Sequence, residues 1–243
     1  MKSFTYDLHV HSCLSPCADN DNTPNNIAGM AVISGIDILA LTDHNTSMNC
    51  PAFFEAAGRY GIIPIAGMEL TTSEDIHMVC LFPTLDLAMA FDKEIRGHRT
   101  LIRNRKEIFG DQLILDGEDN VIGEEEHLLT VATDISSDDL PSLVKNMGGV
   151  CFPAHVDKSS NSMIATLGTI PDDPYFPAIE VKDLSRLEEL RLKHPIDGKV
   201  IVTSSDAHYL ENIGDAGGEI TLDTDGSDKR EVIKKLFELL GGI

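Results

Sequence analysis

FTYDLHVHS, residues 4–12, is an apolar and β-branched run that closes on His9 and His11 with a single residue between them. On an extended strand side chains alternate with period two, so both imidazoles face the same way and can grip one ion together. Similar runs recur along the chain: IDILAL at 36–41, IIPIAG at 62–67, IHMVCLF at 76–82, GGVCFPA at 148–154, AIEV at 178–181, KVIVTS at 199–204 and GEITL at 218–222. Helix signals lie between most of them. Pro24 follows Thr23, Pro51 opens another helix, DLSRLEELRLKH at 183–194 carries leucines at helical spacing, and KREVIKKLFELL follows Ser227 as N-cap. Strands alternating with helices predict a mostly parallel α/β fold, and about seven such units in this length favour a barrel over an open sheet.

Two regions break the repeat. GMELTT and IHMVCLF, within 67–82, are separated only by SED, which predicts a hairpin. Residues 98–135 join a long polar helix to QLILDGEDNVIGEEE, where DGEDN reads as the turn of a second hairpin. This insertion is expected to be lid-like or to pack against the body. The basic residues from Arg96 to Lys106 are interleaved with apolar ones and read as one face of that helix.

The 243 residues are enough for one domain spanning 1–243, with roughly 70% of the unfolded chain's surface buried on folding. Nineteen Lys and Arg against 40 Asp and Glu give a formal charge of −21, which repels a polyanion over most of the surface. A nucleic-acid polymer is therefore expected to be an improbable partner. No apolar run approaches the roughly 18 to 20 residues that span a bilayer, so no membrane partner is expected. The start MKSFTYDLHVHS lacks a basic segment followed by an apolar stretch. Five scattered cysteines without a C-x-x-C suit a reducing compartment, and a cytoplasmic protein is expected.

Histidines and carboxylates gather beside the strand-like runs: His9 and His11, His44 in ALTDHN, Glu69 in AGMEL, His77 in DIHMV, His155 in PAHVD, and Asp206 and His208 in SSDAH. In a parallel barrel, residues just past the carboxyl ends of strands converge on one rim. Burying so many such groups without a cation costs several kcal/mol each. Imidazole suits Zn, Mn and Fe, and a carboxylate can bridge two cations. Asp206 and His208 repeat the period-two geometry and can offer one ligand to each of two adjacent ions. His77 begins its run, so the preceding hairpin has to turn that strand's start toward the rim. Asp7 and Asp43 are placed to fix an imidazole tautomer. His98, His127 and His194 lie in helical or polar stretches and read as surface residues.

The ordered series H-x-H, T-D-H, G-x-E, a following His, a later His after a strand, and D-x-H resembles the PHP superfamily, named for polymerase and histidinol phosphatase. The resemblance spans His9 to His208. It implies a distorted (β/α)7 TIM-like barrel, a trinuclear metal site and phosphoesterase activity. Carried over by position, His9, His11, Glu69 and Asp206 would hold one ion, Glu69, His77 and His155 a second, and His44 and His208 a third. The family's further third-site ligand comes from the loop after H-x-H, which here reads SCLSPCADND and offers Cys17 or Asp19. A thiolate there favours Zn, while a carboxylate leaves Mn or Fe equal to it.

The implied reaction is attack of a hydroxide held between divalent ions on a phosphate ester, with Glu69, Asp206 and His208 as the candidate catalytic residues. Lys158, Lys182 and Arg186 are the candidate phosphate-binding cations, because their segments open onto the same rim. A small phosphorylated metabolite or nucleotide is the expected substrate. An amidohydrolase-type metal hydrolase is the alternative enzyme, although Glu69 stands where that family uses a bridging carboxylated lysine. A non-catalytic metal-binding regulatory module is the alternative outside catalysis, and the nearly complete ligand set weighs against it.

Overall fold

The computed structural model describes residues 1–241. Its first half contains β1 (Lys2–Asp7), α1 (Pro24–Ile33), β2 (Ile38–Leu41), α2 (Cys50–Tyr60), β3 (Ile63–Thr71), β4 (His77–Phe82) and α3 (Leu85–Ile95). The inserted region carries α4 (Lys106–Phe109), β5 (Leu113–Leu115) and β6 (Val121–Glu124). The chain continues through α5 (Leu140–Asn146), β7 (Val150–Pro153), α6 (Met163–Leu167), β8 (Ala178–Glu180), α7 (Leu187–Lys193), β9 (Val200–Val202), β10 (Gly218–Leu222) and α8 (Lys229–Leu239).

The main sheet has six strands in the order β10-β1-β2-β3-β4-β7. The β1–β2 and β2–β3 pairs are parallel, whereas β4 runs antiparallel to both β3 and β7. A separate parallel pair, β8–β9, continues the curl. The Val156 N–H donates to the Glu180 carbonyl beyond β7, at 2.8 Å. On the far side, Val10 bridges Ala207, and the His11 N–H donates to the Ala207 carbonyl at 3.0 Å. The α/β expectation therefore holds, with a strongly curled sheet.

Both faces of the central strands are buried, which is why they read as continuous apolar runs. In β2, Leu39 and Leu41 join one core cluster with Phe53, Phe82 and Phe91, while Ile38 and Ala40 join the other. That second cluster also holds Val232, Leu236 and Phe237 of α8. Thr23 caps α1 by accepting from the Asn26 N–H. The last helix is capped by Asp228 instead of Ser227, because it is the Asp228 side chain that accepts from the Arg230 N–H.

Both expected hairpins form, β3–β4 and β5–β6. The long helix expected across Arg96–Lys106 does not. After Ile95 the backbone instead bridges Arg99 to Thr133 and Arg103 to His127, and only Lys106–Phe109 makes a helical turn. The β5–β6 turn is fastened to the body: Asp119 accepts from the Thr23 hydroxyl and the Asn25 N–H, and Asn25 donates to the Gly117 carbonyl. Asn49 holds both Leu113 and Leu115. Among the described residues no helix is long and apolar enough to cross a membrane.

Candidate metal centre

His9 and His11 lie just past the end of β1 instead of within it, yet Val10 keeps the chain extended between Thr42 and Ala207. Their rings therefore stay on one face, with centroids 5.1 Å apart and Nε2 atoms 3.2 Å apart. Glu69 sits in β3, opposite Val79. Two residues earlier, a Cβ on Gly67 would stand 2.4 Å from the Cys80 carbonyl, so this close approach of β3 and β4 requires glycine. Because β4 runs antiparallel, its first residue, His77, pairs with Thr71 and reaches the same end as Glu69. The hairpin thus does for His77 what a strand end does for the others.

Five imidazoles converge on the buried Glu69 carboxylate. Its Oε1 lies 3.2 Å from His9 Nε2, 2.9 Å from His77 Nδ1 and 3.0 Å from His155 Nε2. Its Oε2 lies 3.4 Å from His11 Nε2 and 3.1 Å from His44 Nδ1. Asp206 Oδ1 stands 3.5 Å from His9 Nε2 and 3.3 Å from His11 Nε2. Candidate ligand atoms form three clusters within 4.8 Å: His9, His11, Glu69 and Asp206; His44, Glu69 and His77; and His11, His44 and His208. His44 thus sits between Glu69 and His208, and His155 approaches through Glu69 Oε1. Cys17 and Asp19 are exposed and join none of the clusters.

Outer partners fix the tautomers. His9 Nδ1 donates to Glu180 Oε2 at 2.9 Å, and His208 Nδ1 donates to the Asp206 carbonyl at 2.9 Å. His11 Nδ1 donates to the Ser15 hydroxyl at 3.1 Å, which in turn donates to Asp43 Oδ1 at 2.7 Å. With those protons committed, the Nε2 lone pairs of His9, His11 and His208 are the ones left for the site. His44 Nδ1, despite its approach to Glu69, makes no hydrogen bond. Buried lone pairs facing one another in this way fit divalent cations.

The electrostatics divide the imidazoles. Burial and the neighbouring His208 lower the His11 pKa to about 4, which keeps it in the neutral, ligating form. Burial likewise holds His44 well below its ordinary value. Burial opposes a charge on His9, but Glu180, Glu69 and Asp206 outweigh it and raise its pKa. Burial also opposes the charge on Glu69, yet His77, His9 and His44 hold its carboxyl well below the usual range. Two residues of the site, His155 at φ 29° and Asp206 at φ 50°, adopt the left-handed backbone that side chains avoid.

Glu180 was not singled out by its residue type. Inside the apolar run AIEV its carboxylate is fully buried, with nothing but an imidazole and a backbone N–H to meet it. Asp43 acts through Ser15 on His11, whereas Asp7 holds backbone, accepting from the Ser205 and Gly214 N–H groups. Lys158 and Lys182 line a cavity of about 420 Å³ with Ser205, Asp206 and His208, and Lys158 is ion-paired with Asp206. Arg186 lies apart from it, in a neighbouring cavity of about 350 Å³ that shares Lys158.

The PHP domain profile matches residues 7–157, from Asp7 to Asp157, and so includes His155. The chain belongs to the PHP domain family. Over 74 residues this PHP chain is 38% identical to an error-prone DNA polymerase of Symbiobacterium thermophilum, covering 30% of this chain and 7% of that protein. Over 104 residues it is 32% identical to a 5'-3' exoribonuclease of Haemophilus influenzae, covering 40% of this chain and 37% of the relative. The PHP chain thus spans well under half the length of these curated relatives. Its fold is similar to that of the lesion-specific endonuclease Q of Pyrococcus furiosus, with a TM-score of 0.66 and 16% identity, covering 96% of this chain and 56% of that one.

These relatives correct the expectation that a nucleic-acid polymer is an improbable partner. One is named an exoribonuclease, and endonuclease Q has been captured with a 27-mer duplex carrying an abasic lesion at the active site. The net charge of −21 misled because it sums the whole surface, whereas the field at a site is set by the groups nearest it, and the cavity beside the centre holds Lys158 and Lys182 together with Asp206 and Asp215.

Proposed function

We propose that this PHP chain is a metal-dependent phosphoesterase acting on a phosphate ester of a nucleotide or of a nucleic-acid strand. The observation that carries this reading is the convergence of five imidazoles on one buried carboxylate, beside a cavity that presents two lysines. The ligand sets are His9, His11, Glu69 and Asp206 for one ion, Glu69, His77 and His155 for a second, and His44 and His208 for a third, with Glu69 shared. Zn, Mn and Fe all suit these donors. When bound, such cations lower the pKa of water and neutralise charge on ester oxygens.

The chain's own residues do the rest. Lys158 and Lys182 offer ammonium groups to the phosphate oxygens, and Lys182 is steadied by donating to the Ser205 carbonyl. Asp206 draws Lys158 to the rim. Arg186, in the adjoining cavity, is placed for a more distant part of the substrate. The curl of β1, β2, β3, β4, β7, β8 and β9 supports reading residues 1–243 as one distorted barrel domain, of which 242 and 243 lie outside the described residues. The fastened hairpin supports the insertion as a fixed wall of that domain.

The test is hydrolysis of p-nitrophenyl phosphate and of a phosphorylated oligoribonucleotide across a series of Mn, Zn and Fe, with bound metal measured in parallel. Turnover of either ester that depends on metal supports the reading. Metal bound without turnover of either would leave a metal-binding module and remove the enzyme.

A further inference from the structure

The segment from His208 to Asn212 lines two cavities, one where Lys158 and Lys182 stand beside Asp206 and Asp215 and one that holds carboxylates without a lysine or arginine. One side is the 420 Å³ cavity with Lys158 and Lys182, which Asn212 also lines. The other is a cleft of about 190 Å³, lined by Tyr209, Leu210 and Glu211 and, across from them, by Asp19, Asp21 and Asn22. The far wall is tied to the centre: the Asp19 N–H donates to the His208 carbonyl at 2.9 Å, and Asn22 Nδ2 donates to the His11 carbonyl at 3.0 Å.

No lysine or arginine lines the cleft, and its three carboxylates repel phosphate. It suits the neutral end of a substrate whose phosphate lies in the cavity that holds both lysines. Four aromatic side chains stand well exposed among the described residues: Tyr60, Phe109, Tyr175 and Tyr209. Of these, Tyr209, 49% exposed, directly follows a histidine of the centre. An aromatic face binds flat heterocycles by stacking, largely without regard to sequence. Asn22 is itself buried with its Oδ1 unpartnered, and the cleft's exposed acceptors are the carboxylates of Asp19, Asp21 and Glu211. The cleft therefore combines a stacking face with acceptors, which matches a nucleobase and its amino or ring N–H donors.

We propose that this cleft is a nucleobase subsite and that Tyr209 is its stacking platform. The proposal rests on the phosphoesterase reading for the place of the phosphate, and it extends that reading to the organic half of the substrate. The test is equilibrium binding, which does not require turnover. The non-hydrolysable phosphonate analogues of adenosine monophosphate and of ribose phosphate are titrated into the metal-loaded wild type, Tyr209→Ala and Tyr209→Phe.

The wild type is expected to prefer the nucleotide by about ten-fold or more, the Ala variant to lose that preference, and the Phe variant to keep it. A wild type that binds both alike, or an Ala variant that retains the preference, overturns the proposal. Nucleotide preference without hydrolysis of any ester would refute the phosphoesterase reading and leave the subsite standing.

Discussion

Glu69 accepts more attention from imidazoles than its oxygens can answer: five ring nitrogens lie within 3.4 Å of a group with about four lone-pair sites. Removing its charge while keeping its shape should therefore be worse than losing any one ring. Glu69→Gln is expected to reduce metal affinity by more than the roughly 10- to 100-fold typical of an outer partner, and to exceed every single His→Ala variant, as measured by metal titration. A Gln variant with wild-type stoichiometry would sink the bridging role. Glu180 is such an outer partner. Glu180→Gln is expected to weaken metal binding by about 10- to 100-fold while circular dichroism stays unchanged, because the ring of His9 loses its charged acceptor but the strand keeps its packing. The ring nitrogens and Glu69 were legible in the sequence because each sits beside a strand-like run, His77 at the start of its run and the others at or past the end. Glu180 was passed over because a carboxylate within AIEV gives no spacing signal; only the fold shows that it stands behind His9.

At the scale of elements, the strands were legible because burial on both faces writes them as unbroken apolar runs, and the β3–β4 reversal because SED is too short for a crossover. The stretch after Ile95 was misread because interleaved Arg, Leu and Ile satisfy a helical pattern that backbone pairing with residues 127–133 overrides. That pairing has a purpose visible in Asn45, whose amide donates to the Leu129 and Val131 carbonyls and whose Oδ1 accepts from the Thr71 N–H, so the insertion steadies the turn that carries His44. The hairpin tip is held by Asp119. Asp119→Ala removes acceptors for Thr23 and Asn25 at the start of α1 and is expected to cost about 1 kcal/mol in urea denaturation. An unchanged midpoint would show that the tip is not fastened.

For the whole molecule, a centre drawn from almost every strand makes metal binding and folding one equilibrium. A ligand that binds only the folded chain at about 100 times its Kd adds roughly 2.7 kcal/mol, or about 5–10 °C in Tm for a domain of this size. Stripping metal with a chelator should lower the melting temperature by at least that much, and calorimetry showing equal transitions with and without chelator would contradict the centre itself. The segment after β9 meets the segment after β1 where Val10 bridges Ala207, and this long-range contact also sets a schedule. A chain growing from its N-terminus exposes His9, His11 and His44 early, while Asp206 follows about 200 residues later, so contacts of very long sequence separation must form last. Until the segment bearing Asp206 and His208 is seated, the early histidines form an open and promiscuous chelate on a half-made sheet. An ion that arrives before then meets a ligand set that lacks Asp206 and His208.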